Sequence, residues 1–169
     1  MIGERSMGKR QDKAEEFFRE GYNCSQSVFL AFADIYGVDK ELALRISSSF
    51  GAGMGRMREV CGTVSGMFLV AGLECGTTKG RDPEGKKANY DTVQKLAAEF
   101  KKRSGGSIIC RELLGLDKQK DFTDTKPEER TISYYKKRPC IRLVREAAGI
   151  LEEYLESEQS EKTNVNSLQ

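Results

Sequence analysis

The chain has 169 residues, 38% of them hydrophobic and 32% charged, which predicts one soluble domain with a fair-sized core. Its 28 basic and 26 acidic residues leave a formal charge of +2, which excludes a global field drawing it to nucleic acid. It has no histidine, so the usual general base and commonest metal ligand are both missing, and any metal site would rest on thiolates, carboxylates or cofactor ligands.

Residues 1–10 are polar and read as a flexible N-terminus without the apolar run of a secretory signal. Ala14, Phe17 and Phe18 recur at helical spacing in Asp12 to Arg19, and Gly21 ends that helix. Asn23 is an N-cap for a second helix, Cys24 to Tyr36, with Val28, Leu30, Ala31, Phe32 and Ile35 as its apolar stripe and Gly37 closing it. Asp39 caps a third, with Leu42, Ala43 and Ile46 expected inward. A Gly-rich loop, Gly51 to Gly55, leads to a segment from Cys61 to Glu74 that is apolar on nearly every face, the mark of a buried helix.

Asp82 and Pro83 open a long helix to Arg103 with Tyr90, Val93, Leu96, Ala97 and Phe100 on one face. Ser104, Gly105 and Gly106 break it; Ser107 caps a short helix from Ile108 to Leu114, and Gly115 stops that one. Residues 116–126 read as a polar loop. Pro127 begins a helical turn or two through Tyr135, and Pro139 opens a last helix to Ser157, with Val144, Ala147, Ala148, Ile150, Leu151 and Tyr154 inward. Residues 158–169 read as a flexible tail. No strand pattern of useful length appears, so the expected fold is all-α: one domain over residues 11–157, a compact multi-helix bundle around a central Gly-rich apolar helix. The longest apolar run, Gly66 to Leu73, is too short for a membrane span of about 20 residues. The chain is therefore expected in the cytoplasm, without inserting in a membrane.

Ordinary thiols stay reduced in that compartment, and five cysteines there point to metal or redox chemistry more than to a disulfide frame. Four fall at expected helix starts: Cys24 after Asn23, Cys61 at the entry to the central helix, Cys110 after Ser107, and Cys140 after Pro139. Free N–H groups and the positive end of the dipole favour a thiolate there and lower its pKa. Arg56, Arg58, Arg111, Arg138 and Arg142 add nearby positive charge. Cys75 ends its helix, where the dipole opposes a negative sulfur, and is left out. The opposing account is that free cysteine often serves as a small buried filler. No CxxC occurs, so neither a thioredoxin-type motif nor paired zinc knuckles can be claimed. A shared site needs the fold to bring four separate helices together.

The loop FGAGMG lacks the spacing and the preceding strand of a dinucleotide fingerprint, and no Gly-Lys-Ser/Thr makes a phosphate loop. Gly51, Gly53, Gly55, Gly62 and Gly66 are instead candidates for close approach of a metal or cofactor, or for a tight turn under a packed helix. Gly62, Gly66 and Gly72 also give the central helix a thin face that suits a core or a homodimer.

The segments GYNCSQSVFLAF, FGAGMGRMREVCGTVSGMFLVAGLECG, SIICRELLG and PCIRLVREAAGILEEYL together resemble the C_GCAxxG_C_C family of redox-active proteins, over roughly Ala14 to Leu155. The resemblance assigns Cys24 as the first shared cysteine, Cys61 with Gly62 and Gly66 as the central element, Cys110 as the third and Cys140 as the fourth. Thr63 stands where the pattern prefers alanine, and Cys75 has no place in it. It also implies a redox partner, with a membrane transporter component as one kind.

Three functions are compatible with these residues. The first is a redox protein whose four thiols cycle through disulfides or hold an iron–sulfur cluster. The second is a four-thiolate zinc protein, stapled by its metal or sensing it. The third is a helical interaction protein whose cysteines are merely buried.

Overall fold

The computed structural model describes residues 9–116 and 124–166; what was expected of residues 1–8, 117–123 and 167–169 lies outside the described residues. In chain order it comprises α1 (Lys9–Arg19), α2 (Cys24–Ala33) with a 3₁₀ turn at Asp34–Tyr36, α3 (Lys40–Ser48), a short distorted α4 (Gly51–Met54), and α5 (Gly62–Cys75). Then come α6 (Pro83–Arg103), α7 (Cys110–Leu113), α8 (Ile132–Lys137) and α9 (Cys140–Asn166). Among the described residues there is no strand, only an isolated antiparallel bridge between Val60 and Ile109. The fold is all-α.

Three of the caps read from the sequence, Asn23, Asp39 and Asp82, act as expected. Asn23 Oδ1 accepts from the Gln26 N–H and Gln26 Oε1 accepts from the Asn23 N–H, both at 3.0 Å, a reciprocal capping box. Asp39 accepts from the Leu42 N–H at 2.8 Å. Asp82 accepts from the Gly85 N–H at 2.9 Å, with Pro83 in the first turn of α6.

Helix α2 lies against α1, α3 and α5, while α9 packs on α1 and also meets α2, α5 and α6. Phe18, Val28, Phe29, Phe32, Val64, Met67, Val70, Phe100, Val144, Ala148 and Leu151 fill the space between them and are almost wholly buried. The apolar character of α5 on all sides is thus matched by neighbours on several sides. Its thin face is used within the chain: a methyl group on Gly66 would sit 2.9 Å from Val28 Cβ and 3.1 Å from the Ser25 carbonyl oxygen. The Gly62–Gly66 face is therefore covered by α2, while Gly72 faces open space.

Several boundaries and faces differ from the sequence reading. Helix α1 starts at Lys9, inside the stretch read as loose, because Arg10 is anchored. Its guanidinium donates to the Ala31 carbonyl at 2.6 Å and pairs with Asp34 at 2.5 Å, and its backbone N–H donates to Glu152 at 2.8 Å. Helix α9 runs to Asn166, past the expected end at Ser157; Lys162 reaches Glu74 at 3.1 Å, and the Ser160 and Thr163 hydroxyls donate to carbonyls one turn back. Leu42 and Ile46 are 51% and 43% exposed, since α3 contacts the rest through Ala43 and Ser47. Tyr90 faces solvent, and the buried residues of α6 are Leu96 and Phe100. Ser107 holds the Ile109 N–H rather than opening a helix, so α7 begins at Cys110. Residues 127–131 are not helical; α8 starts behind Thr131, whose hydroxyl accepts from the Tyr134 N–H at 3.1 Å.

Candidate functional site: four cysteines around one cavity

Cys24 is the first residue of α2, Cys110 the first of α7, Cys140 the first of α9, and Cys61 the residue before α5. The folded chain brings these four starts together: all four cysteines line one cavity of about 70 Å³. Phe18, Leu113, Leu114 and Leu143 form apolar wall, and Arg58, Arg130 and Arg138 also line the cavity. All four are free thiols; Cys61 and Cys110 are buried, Cys24 and Cys140 half-buried. Cys75 lies at the opposite end of α5, donating to the Ala71 carbonyl at 3.2 Å and accepting from Asn89 at 3.5 Å.

The assembly depends on close backbone approach. A methyl group on Gly62 would overlap the Cys24 sulfur and come within 3.0 Å of the Phe50 carbonyl oxygen and 3.1 Å of the Ser25 nitrogen, so only glycine lets α5 bring Cys61 beside Cys24. Gly53 does the same for Cys110, where a methyl would be 2.6 Å from its Cβ and 2.8 Å from Arg58 Cα. Gly51 is pressed on the Asn23 side chain, and Gly55 ends the turn near the Ser49 carbonyl. Protein atoms thus stand where a side chain at Gly51, Gly53, Gly62 or Gly66 would go. The strand-like bridge completes the frame: the Cys61 N–H donates to the Ile108 carbonyl at 2.7 Å and the Cys110 N–H to the Glu59 carbonyl at 2.6 Å.

The Gly-rich loop is a left-handed turn. Ala52, Met54, Arg56 and Arg58 all have φ between 54° and 69°, interleaved with Gly53 at 71° and Gly55 at 59°. Such geometry costs roughly 1–2 kcal/mol per non-glycine residue, and strain of this kind gathers at functional sites. Arg58, the last positive-φ residue of this run, lies inside the fold. That residue is only 7% exposed, and its guanidinium donates to Cys110 Sγ at 3.9 Å.

Burial corrects the expectation of low pKa values for Cys61, Cys110 and Cys140. The cavity removes water from Cys61, and Cys24 and Cys110 repel its ionised form, so its pKa rises despite the 3.1 Å hydrogen bond with Thr63. Burial, then repulsion by Cys24, also raises Cys110, with Arg58 pulling the other way. Burial and the charges of Cys24 and Cys110 push Cys140 up to about 12. The dipole argument fails outright for Cys110, because α7 has four residues and carries little macrodipole. Cys24 is the sulfur that all three others feel.

Of the cations near these cysteines in sequence, Arg58 and Arg138 line the cavity and Arg56 an adjoining groove. Arg111 is paired with Glu59 at 2.9 Å, and Arg142 is exposed. Sequence reasoning missed Arg130 and Tyr134. The Arg130 guanidinium lies 4.2 Å over the Phe18 ring and 4.9 Å over Tyr134, and donates to the Tyr22 carbonyl at 3.3 Å. No local motif marks these two residues; they reach the cavity only because the segment before α9 folds back over α1.

By residue type, four thiols suit an iron–sulfur cluster or a tetrahedral zinc. Among the described residues, no three cysteine, aspartate or glutamate side chains are grouped to hold a single ion. No helix among the described residues is long and apolar enough to cross a membrane.

A protein-family model described as "Putative redox-active protein (C_GCAxxG_C_C)" matches residues 22–154. No curated protein and no solved structure matches the chain.

Proposed function

The chain belongs to the C_GCAxxG_C_C family of redox-active proteins, and from that premise we propose that the four-cysteine cavity is its redox centre, working through its thiols. The observation that carries this reading is the convergence of Cys24, Cys61, Cys110 and Cys140 on one small cavity from four separate segments. Cys24 has the role of first reactant. It is half-buried, its charge opposes ionisation of each of the other three, and Gly62 brings the start of α5 hard against its sulfur. Oxidation joins Cys24 to one of its neighbours by a single S–S bond and releases two protons and two electrons to an acceptor. The other three thiols hold their protons more tightly, so one of them acts second, losing its proton as it attacks the Cys24 sulfur as the resolving thiol.

A second reading is an iron–sulfur centre, supported by residue type, since four cysteines line one cavity. Against it, a metal would have to displace the protons that Cys61, Cys110 and Cys140 hold, and among the described residues no three of these side chains are grouped for one ion. Cys24, Cys61, Cys110 and Cys140 would hold the cluster, and it would supply one-electron transfer. A zinc centre uses the same residues, but lacks redox chemistry of its own. Linkage to a transporter rests on the family resemblance alone.

The deciding experiment is metal content, visible spectrum and thiol titration of anaerobically purified protein, before and after a mild oxidant. The thiol reading expects no stoichiometric metal and a reversible loss of two or four titratable thiols that needs Cys24. Stoichiometric iron with charge-transfer absorption would replace it by the cluster reading. Stoichiometric zinc, or thiols that never oxidise, would overturn the redox role.

A further inference from the structure

Beside the thiol cavity lies a more open groove of about 240 Å³. The two share Asn23, Ala52, Arg58, Arg130, Tyr134 and Arg138, so they are two compartments of one depression. The inner one holds the sulfurs and the outer one, to which Arg56 is added, is lined by four guanidinium groups.

Among the described residues that charge is only half balanced, since two of the four guanidinium groups have a carboxylate partner. Among the described residues no carboxylate lines the inner cavity, and Glu128 is the one acid lining the groove, paired with Arg138. Arg56 is held by Asp124 through its backbone carbonyl at 2.8 Å and a long carboxylate contact at 3.5 Å. Among the described residues Arg130 reaches backbone carbonyls and ring faces, without a carboxylate. Arg58, more than nine-tenths buried and lining both compartments, has a thiol at 3.9 Å as its hydrogen-bond partner and no carboxylate among the described residues. A buried charge without a counter-charge is expensive. Guanidinium forks match carboxylate oxygens in pairs.

We propose that the arginine groove is the substrate site of the thiol centre, and that the substrate is a small disulfide bearing carboxylate groups. The inference rests on the thiol reading above. The carboxylates lie among Arg56, Arg58, Arg130 and Arg138, and the S–S bond points inward to Cys24. The Cys24 thiolate attacks one substrate sulfur, forming a mixed disulfide as the other half leaves as a thiolate and takes up a proton. A second cavity cysteine then attacks Cys24 Sγ, which breaks the mixed disulfide, closes an internal S–S bond and releases the second half as a thiol. Two protein thiols are oxidised and one substrate disulfide becomes two thiols.

The test uses the full chain, reduced, and three simple disulfides: anionic dithiodipropionate, neutral hydroxyethyl disulfide and cationic cystamine. Each rate of internal disulfide formation is divided by the rate of the same disulfide with a free cysteine peptide. The anionic probe should react about tenfold or more faster than the neutral one, with the cationic slowest, and added salt should compress the order. Arg130→Gln should lower the anionic-to-neutral ratio, and Arg56→Gln, further from the core, provides the same check with less risk to folding. Equal normalised rates for the three probes would overturn the groove assignment and leave the thiol centre standing. Failure of every probe to produce an internal disulfide would overturn the thiol centre itself, and this proposal with it.

Discussion

Both ends of α5 carry a cysteine, about 20 Å apart for a 14-residue helix, and the two environments have little in common. At the start, Cys61 is 5% exposed and shares a cavity with three other thiols and three arginines. At the end, Cys75 sits half-buried with a carbonyl and an amide as partners, and it is not among the residues lining that cavity. The helix start is packed so tightly that glycine is required at 62; one turn before the helix end, Gly72 has nothing within reach of a methyl group. Cysteine chemistry in this protein is therefore a property of place. The same side chain on the same helix is satisfied and solitary at one end, and crowded at the other into a group whose members oppose one another's ionisation.

The largest contrast should come from the sulfurs. Cys24→Ser is expected to lower reversible thiol oxidation tenfold or more, while Cys75→Ser leaves it unchanged, read by mass-spectrometric thiol counting under graded oxidant. Equal damage from both would erase the distinction between the two ends. Next come the glycines. Gly62→Ala should destabilise by about 1–3 kcal/mol through overpacking against Cys24 and the Phe50 carbonyl, whereas Gly72→Ala should stabilise by up to about 1 kcal/mol as a helix-interior replacement in open space. Urea unfolding of the two variants measures both.

A third test is pH. Folded Cys61, Cys110 and Cys140 hold their protons above the ordinary thiol value of 9.0, Cys140 to about 12, while the unfolded chain releases them near 8.5. The native state then binds more protons than the unfolded one as pH rises past that value. The stabilisation is fully present below it and is lost above, by up to about 1.4 kcal/mol per pH unit for each thiol. Chemical unfolding of reduced protein between pH 8 and 11 should show this fall, and a Cys140→Ala variant a shallower one. A flat profile would mean that the thiols are not buried as described. The smallest effect belongs to the left-handed turn. Ala52→Gly should stabilise by under about 1 kcal/mol, the relief of a positive φ less the added chain entropy of glycine.

Helix positions were legible where the signal is local. Asn23, Asp39 and Asp82 cap the helices they were read to cap, and the long α6 spans the expected residues, because capping and Pro placement act within four residues of chain. Facing was less legible: Leu42 and Ile46 keep helical spacing yet look outward, because α3 presents a face of small residues to α2. The ends of α1 and α9 were misjudged because contacts distant in sequence, Arg10 with Asp34 and Lys162 with Glu74, order polar segments that have no apolar pattern of their own.

By itself the sequence determined the all-α class, the central apolar helix with its glycine face, and the four cysteines at segment starts, since each follows from residue type and short-range spacing. Tertiary structure alone decided that those four starts meet, that the Cys61, Cys110 and Cys140 thiols are raised rather than lowered in pKa, and that Arg58 and Arg130 join them. Burial, mutual repulsion and the folding of distant segments onto one cavity depend on which surfaces lose water together. No local pattern of residues encodes that.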